Sequence, residues 1–307
     1  MKLFKHISNS VIASISFLFI SSLSFAQCGD QPDQNVELRI LSWNIYMIPH
    51  LIIHSGQEQR AKEIVESLKN ENVDVIVFEE AFDARSRVII REGLKEKFPY
   101  ESGDPAKSCF LKINSGVWVL SKTALTVVKQ IFFKNGRGTD KLASKGAILL
   151  QTKKNNFCFQ IVATHLQSDL IGKDVKIIRN KQYIQIRKEL LEPFSQKDVP
   201  QFIVGDMNTM KDDTLSYNQM VNCFEVNQCA FEGENVYSYD RTKNDIILNS
   251  TDRPQLIDHI FYKSMGAEIL ESKMLVKIFS KKWNRFHKDL SDHFAILGTF
   301  TLPAKLF

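Results

Sequence analysis

This sequence predicts an α/β fold of mixed β-sheets with helices on the outside, and three observations carry that reading. Short apolar, β-favouring runs recur along the chain, and stretches with helical periodicity fall between them. The two kinds interleave without the strict alternation of a parallel βαβ fold. Apolar residues make up 44% and charged residues 24% of 307, an ordinary globular composition. No internal repeat, low-complexity tract or Pro/Gly-rich linker divides the chain, so residues 27–307 read as a single domain.

Residues 1–26 read as a signal peptide. Lys2 and Lys5 precede an apolar run over 11–23, and Ser24-Phe25-Ala26 places small residues at the cut. The run is short and broken by serines, so it suits cleavage after Ala26 and secretion rather than a membrane span. Cys28 follows Gln27, where a lipoprotein signal wants a small residue, so lipid anchoring is not expected. Losing Lys2 and Lys5 takes the net charge from +5 to +3, because residues 1–26 hold no Asp or Glu. So mild a charge points neither to nucleic acid nor to anionic membranes. Five cysteines permit at most two disulfides, and Cys223 and Cys229 are close enough to close a small loop. None of their spacings resembles a zinc site.

The elements follow in order. Residues 38–43 read as a strand ending in Asn44-Ile45-Tyr46. Ser55-x-x-Glu58 reads as a capping box, and Ala61, Ile64, Val65 and Leu68 form a helical stripe behind it. Residues 75–78 are a buried strand ending in Glu79-Glu80, and Asp83 caps a second helix that ends before Pro99. The stretch 101–115 is polar and reads as a loop. Strands are expected over 116–121, 125–133, 146–152 and 157–164, the last ending in His165-Leu166-Gln167. A helix over 174–191 stops at Pro193, and Phe202-Ile203-Val204 is a short central strand. A short helix near 215–224 follows, then a strand over 256–262 with Asp258 in its middle, and a last strand over 294–301.

Several of these strands end, or nearly end, in residues suited to catalysis: Asn44, Glu80, His165, Asp206 with Asn208, and Asp258. Asp292-His293 stands just before the last strand. Side chains alternate along an extended backbone, so Asp206 and Asn208 should face one site together. Asp and Asn also form turns at strand ends, and the recurrence at other strand ends is what favours a site. A sheet gathers strand ends at one rim, and these groups suit phosphoester hydrolysis. Glu80 offers a hard oxygen ligand for Mg²⁺. His293 takes a proton from the attacking water, oriented by Asp258, while His165, Asn44 and Asn208 donate to phosphoryl oxygens. His259 neighbours Asp258, points to the opposite face, and is expected to be structural.

The stretches Trp43-Asn44-Ile45-Tyr46-Met47, Glu80-Ala81-Phe82-Asp83, Thr164-His165-Leu166-Gln167, Gly205-Asp206-Met207-Asn208 and Ser291-Asp292-His293 resemble the endonuclease/exonuclease/phosphatase superfamily in order and spacing. Within it, Gly56-Gln57-x-x-Arg60-Ala61, Ser144-Lys145-Gly146 and Met207 between Asp206 and Asn208 look most like secreted bacterial neutral sphingomyelinases, the sphingomyelinase C group. The resemblance covers nearly all of 38–301. It implies a four-layered α/β sandwich of DNase I type, one catalytic domain over 27–307, and Mg²⁺-dependent hydrolysis of sphingomyelin to ceramide and phosphocholine. Mn²⁺ or Co²⁺ would be tolerated in place of Mg²⁺. Glu80 would bind the metal with Asn44 nearby. His293, with Asp292 and Asp258, would supply the base, and Asp206 and Asn208 would position water and phosphate. His165 would stabilise the transition state or assist the leaving alcohol. Asn44 and Lys145 would meet the substrate.

In two places the sequence departs from that pattern. The group's second metal, at the domain edge, wants an Asn after the Asp of Glu80-x-Phe82-Asp83, and Ala84 stands there. The group's long aromatic hairpin corresponds to a shorter segment, 276–290, with Ile278, Phe279, Trp283 and Phe286 among cations. Trp283 and Phe286 are expected to meet a membrane surface carrying sphingomyelin or a related phospholipid, with no obligate protein partner. The alternatives are a secreted nuclease of the same superfamily, which would bring nucleic acid in as substrate, a phosphoinositide phosphatase, and a silent binding protein on the same fold.

Overall fold

The computed structural model describes residues 34–102, 114–141, 143–169, 174–247 and 252–304. The expected signal peptide and most of the expected 101–115 loop therefore lie outside the described residues. In chain order the elements are β1 (Val36–Met47), α1 (Gln57–Leu68), β2 (Val75–Ala81), α2 (Ala84–Leu94), β3 (Tyr100–Glu101), β4 (Trp118–Ser121) and β5 (Thr126–Phe132). β6 (Gly146–Lys154), β7 (Phe157–His165), α3 (Val175–Ile186), β8 (Gln201–Asp206) and α4 (Thr214–Phe224) follow. The chain ends with β9 (Asn227–Gln228), β10 (Ala230–Glu232), β11 (Asp258–Lys263), β12 (Glu271–Lys277) and β13 (Ala295–Leu302).

The strands form two mixed sheets, ordered β10-β12-β13-β1-β2-β4-β3 and β5-β6-β7-β8-β11-β9. Alternation along each strand gives every sheet two apolar faces. Leu38, Ile40, Val75 and Val77 from the first sheet meet Ile161, Ala163, Phe202 and Val204 from the second in one inner core. Phe202 and Phe300 close it edge to face, ring centres 4.6 Å apart. The outer face of the first sheet packs Trp43, Phe78 and Trp118 under Ile64 and Leu68 of α1 and Ile90 and Leu94 of α2. The outer face of the second packs Leu149, Val162 and Ile203 under Tyr183 of α3 and Met220 of α4. Helices, sheet, sheet and helices thus make the four expected layers.

Local chemistry explains most boundaries and corrects some. Asp83 caps α2, its carboxylate accepting from Ser86 N at 2.8 Å. Ser55 does not cap α1. The N-cap is Gly56 at φ 70°, and the Gln57 side chain reaches back to accept from Ser55 N at 3.0 Å. Ser55 instead accepts from buried Arg60, which also donates to the carbonyls of Ile45, Tyr46 and Leu290. Asp258 opens β11 rather than lying within it. Cys223 and Cys229 are free thiols, so the small loop between them is not closed by a disulfide.

Candidate active site

Strand direction assembles the site. β1 and β2 are parallel, and so are β7 and β8, so Asn44, Glu80, His165 and Asp206 arrive at the same end of the sandwich. β11 and β13 run antiparallel to β8 and β1, so their starts lie at that end too. Asp206 is therefore flanked by His165 in register on β7 and by Asp258 in register on β11.

Gly205 allows the close approach. It has φ +142°, and a Cβ there would lie 1.9 Å from Thr164 O. Three further turns of the backbone aim side chains at the rim. Tyr46, Glu80 and Asn208 have φ of 48°, 51° and 49°, left-handed values that non-glycine residues adopt only when their surroundings enforce them. Val77 faces the inner core and Phe78 the helices, so Glu79 faces inward again, and the kink at Glu80 turns the next carboxylate to the rim. Asp206 and Asn208 share the site through a turn rather than through strand alternation. Asp206 Oδ1 accepts from Asn208 N at 2.9 Å, while Met207 is buried under the helices.

The contacts are dense. His293 Nδ1 lies 2.8 Å from Asp258 Oδ2. Asn44 Nδ2 donates to Asp206 Oδ2 at 3.1 Å, and His165 Nε2 is 3.4 Å from the same oxygen. Asn208 Nδ2 donates to Leu166 O at 3.1 Å. Lys145 Nζ donates to His165 Nε2 at 2.9 Å and pairs with Asp140 at 2.9 Å. Glu80 Oε1 is 4.0 Å from His165 Nε2. A cavity of about 710 Å³ opens beside Asp292 and is walled by Tyr46, Tyr239 and Trp283, among others.

Burial sets the charges. It pushes Glu80 up to about 7, reinforced by Asp292. Asp292 is likewise raised, mainly by burial. Burial and the Lys145 ammonium hold His165 neutral, down at about 3. For His293 burial works downward, but the carboxylate of Asp258, then those of Asp292 and Asp206, outweigh it and raise the imidazole well above its ordinary value. Among the described residues Asp206, Asp258 and His293 come close enough together to hold a metal ion. His293 Nδ1 and Asp258 already engage each other at 2.8 Å, so we read this trio as a hydrogen-bonded acid–base set. Glu80 fits a hard cation better. Its carboxylate is half-buried close to others and accepts no hydrogen bond among the described residues.

Every rim residue expected from the sequence is at this cluster, and His259 is not. Its Nε2 donates to Thr209 O at 2.9 Å, beside Tyr217 of α4 on the outer face. The segment 276–290 differs most from expectation. Phe279 is buried against Trp43, ring centres 4.9 Å apart. Trp283 stacks on His287, donates to Asp289 O at 2.8 Å and packs onto Gly56. Only Ile278 and Phe286 are exposed, at 38% and 70%. Trp283 is a wall of the cavity rather than a free anchor, because the short segment folds back on itself through the Ser280–Asp289 bridge.

Sequence reading missed Glu79, Ser238 and Asp140. Glu79 is fully buried. It accepts from Ser42 Oγ at 2.9 Å between the sheets, and burial, then Asp258 and Asp206, raise it well above the carboxylate range. Ser238 Oγ accepts from Asp258 N at 3.2 Å, and Ser238 O accepts from Phe294 N at 2.7 Å, which steadies the Asp258–His293 pair. The inward parity of Glu79 was a usable signal. Ser238 and Asp140 sit in irregular segments with none.

Two helix-flanked mixed sheets carrying carboxylates, amides and imidazoles on one rim define the class. The chain belongs to the Endonuclease/Exonuclease/phosphatase family, whose family model matches residues 41–293. It is 29% identical over 290 residues to sphingomyelinase C 2 of Leptospira interrogans, covering 86% of this chain and 46% of that one. The chain thus spans about half the length of the Leptospira relatives it matches. It is 27% identical to sphingomyelinase C of Listeria ivanovii, covering 97% of both chains. Among solved structures it resembles a mutant beta toxin of Staphylococcus aureus with bound magnesium ions. That match has a TM-score of 0.75 at 25% identity and covers 88% of this chain and 100% of that one.

Proposed function

We propose that this chain is a secreted, metal-dependent phosphodiesterase of phospholipase C type that hydrolyses sphingomyelin to ceramide and phosphocholine. One catalytic domain over 27–307, released by cleavage after Ala26, would carry the activity. The observation that carries the reading is the His293–Asp258 pair, 2.8 Å apart, beside the Asn44–Asp206–Asn208 cluster, in a chain similar along its full length to a sphingomyelinase C.

Glu80 would hold Mg²⁺, with the Asn44 amide oxygen beside it. Bound there, the ion would polarise a phosphoryl oxygen and offset developing charge. Asp258 fixes the His293 ring through Nδ1, which leaves Nε2 to take a proton from water as its oxygen attacks phosphorus. Asp206 and Asn208 orient that water and the phosphoryl oxygens. The bond from phosphorus to the ceramide oxygen breaks, and that oxygen gains a proton. Water would supply that proton, and neutral His165, which accepts a hydrogen bond from Lys145, would assist the leaving oxygen.

The test is a substrate panel of sphingomyelin, phosphatidylcholine, lysolipids and DNA, each with Mg²⁺ and with EDTA. Phosphocholine released from sphingomyelin only with Mg²⁺ is the expected result. Efficient DNA cleavage with sphingomyelin untouched would overturn the proposal and favour a nuclease.

A further inference from the structure

The segment between β1 and α1 carries an apolar patch that nothing in the fold uses. Leu51, Ile52 and Ile53 are 99%, 59% and 39% exposed. Consecutive exposed aliphatics are what a soluble surface avoids unless something covers them. The turn is built rather than loose. Ile52 N and Ile53 N both donate to Pro49 O, at 2.8 and 3.2 Å. The fully buried Gln57 amide donates to the carbonyls of Ile48 and Ile53, and buried Arg60 holds Ser55 O at 3.0 Å. The two ends are thereby clamped, and the apolar tip projects.

Its position gives it an occupant. His54, Ser55 and Gly56, directly after the tip, line the cavity that reaches Asp292 beside His293. Trp283 and His287 line the same cavity, and exposed Phe286 lies against His287, ring centres 6.4 Å apart, with Arg285 stacked 4.3 Å over it. Exposed Lys282 and Arg285 lie on that same segment. Exposed aliphatics and an exposed aromatic with cations, both next to residues that line one cavity, suit a bilayer interface, where apolar groups enter and cations stay with headgroup phosphates.

We infer that the turn 49–53 is the element that inserts into a lipid surface, with Phe286 beside the same cavity, so that the cavity mouth is pressed against the membrane. This inference rests on the lipid-hydrolase reading of the site. It moves the contact from the 276–290 segment, most of whose apolar side chains are packed, to a turn that in the sequence is only a short apolar run.

The test uses the mature chain with L51S/I52S and L51W, and vesicles of sphingomyelin and phosphatidylcholine. L51S/I52S should sediment with vesicles roughly tenfold less well and hydrolyse them correspondingly slowly. Its melting temperature and its hydrolysis of bis(4-nitrophenyl) phosphate and of detergent-dispersed sphingomyelin should be unchanged. The added indole of L51W should shift to the blue on vesicles and be quenched by brominated lipid. Vesicle binding at the original level by L51S/I52S, or an unshifted L51W, overturns the inference. So does light scattering that shows a dimer in the original chain and a monomer in L51S/I52S with vesicle binding intact, because the patch is then a self-association surface. Failure of the original chain to hydrolyse detergent-dispersed sphingomyelin is a separate outcome and removes the lipid reading itself.

Discussion

Replacing Gly205 by alanine tests whether the rim is held by close backbone approach. The added Cβ would start 1.9 Å from Thr164 O and 3.2 Å from Glu79 Oε1. Carbon and carbonyl oxygen normally sit no closer than about 3.3 Å, so β7 and β8 must part locally by about 1.4 Å. Neither obstacle can yield easily: one is backbone within a parallel pair, the other a fully buried side chain. The φ of +142° adds strain of order 1–3 kcal/mol, and overpacking a further 1–3 kcal/mol or so. At about 2–4 °C per kcal/mol in a chain of this size, the melting temperature should fall by roughly 5–20 °C. Asp206 follows Gly205 directly, and an ångström of misplacement costs about 100-fold in rate. Circular dichroism melting and kcat on bis(4-nitrophenyl) phosphate at saturating Mg²⁺ measure both. A Gly205→Ala protein that melts within about 2 °C of the original and keeps its kcat would refute the reasoning.

Further expectations concern individual groups. His293→Ala and Asp206→Ala should each lower kcat by roughly 10²–10⁴-fold with the fold retained, read by steady-state kinetics beside a thermal melt. Glu80→Gln should raise the Mg²⁺ concentration needed for half-maximal rate. Burial holds His259 at about 4 against 6.5 when unfolded, so the unfolded chain binds its proton first as pH falls. Stability should therefore drop between pH 6.5 and 4, by about 3 kcal/mol from this residue, and urea midpoints of His259→Gln should fall less over that range while its activity at pH 7.5 persists. N-terminal sequencing of secreted protein should begin at Gln27.

Much of the architecture was legible because it is locally encoded. The stripe at 61, 64, 65 and 68 needs only a helix to become one apolar face, and Phe202-Ile203-Val204 only a sheet on both sides. The rim residues were legible because each closes or precedes an apolar run, and their resemblance to a known family joined them. What failed depended on partners remote in sequence. Ser55 looked like a cap, but its oxygens serve Arg60. Phe279 and Trp283 looked exposed, but Trp43 and Gly56 await them more than 200 positions away. Glu79 looked like no more than the end of a strand, and only the second sheet makes it a buried acid.

The pairing of β1 with β13 governs when the rim is completed. Ser291 Oγ bonds Asn44 O across 247 positions, Trp43 Nε1 bonds His293 O across 250, and Arg60 joins its own turn to Leu290 O. A nascent chain that has already made Glu80, His165 and Asp206 still has neither His293 nor the strand that joins β12 to β1 in the first sheet. The rim is thus incomplete until β13 has joined the first sheet, wherever that act of folding takes place.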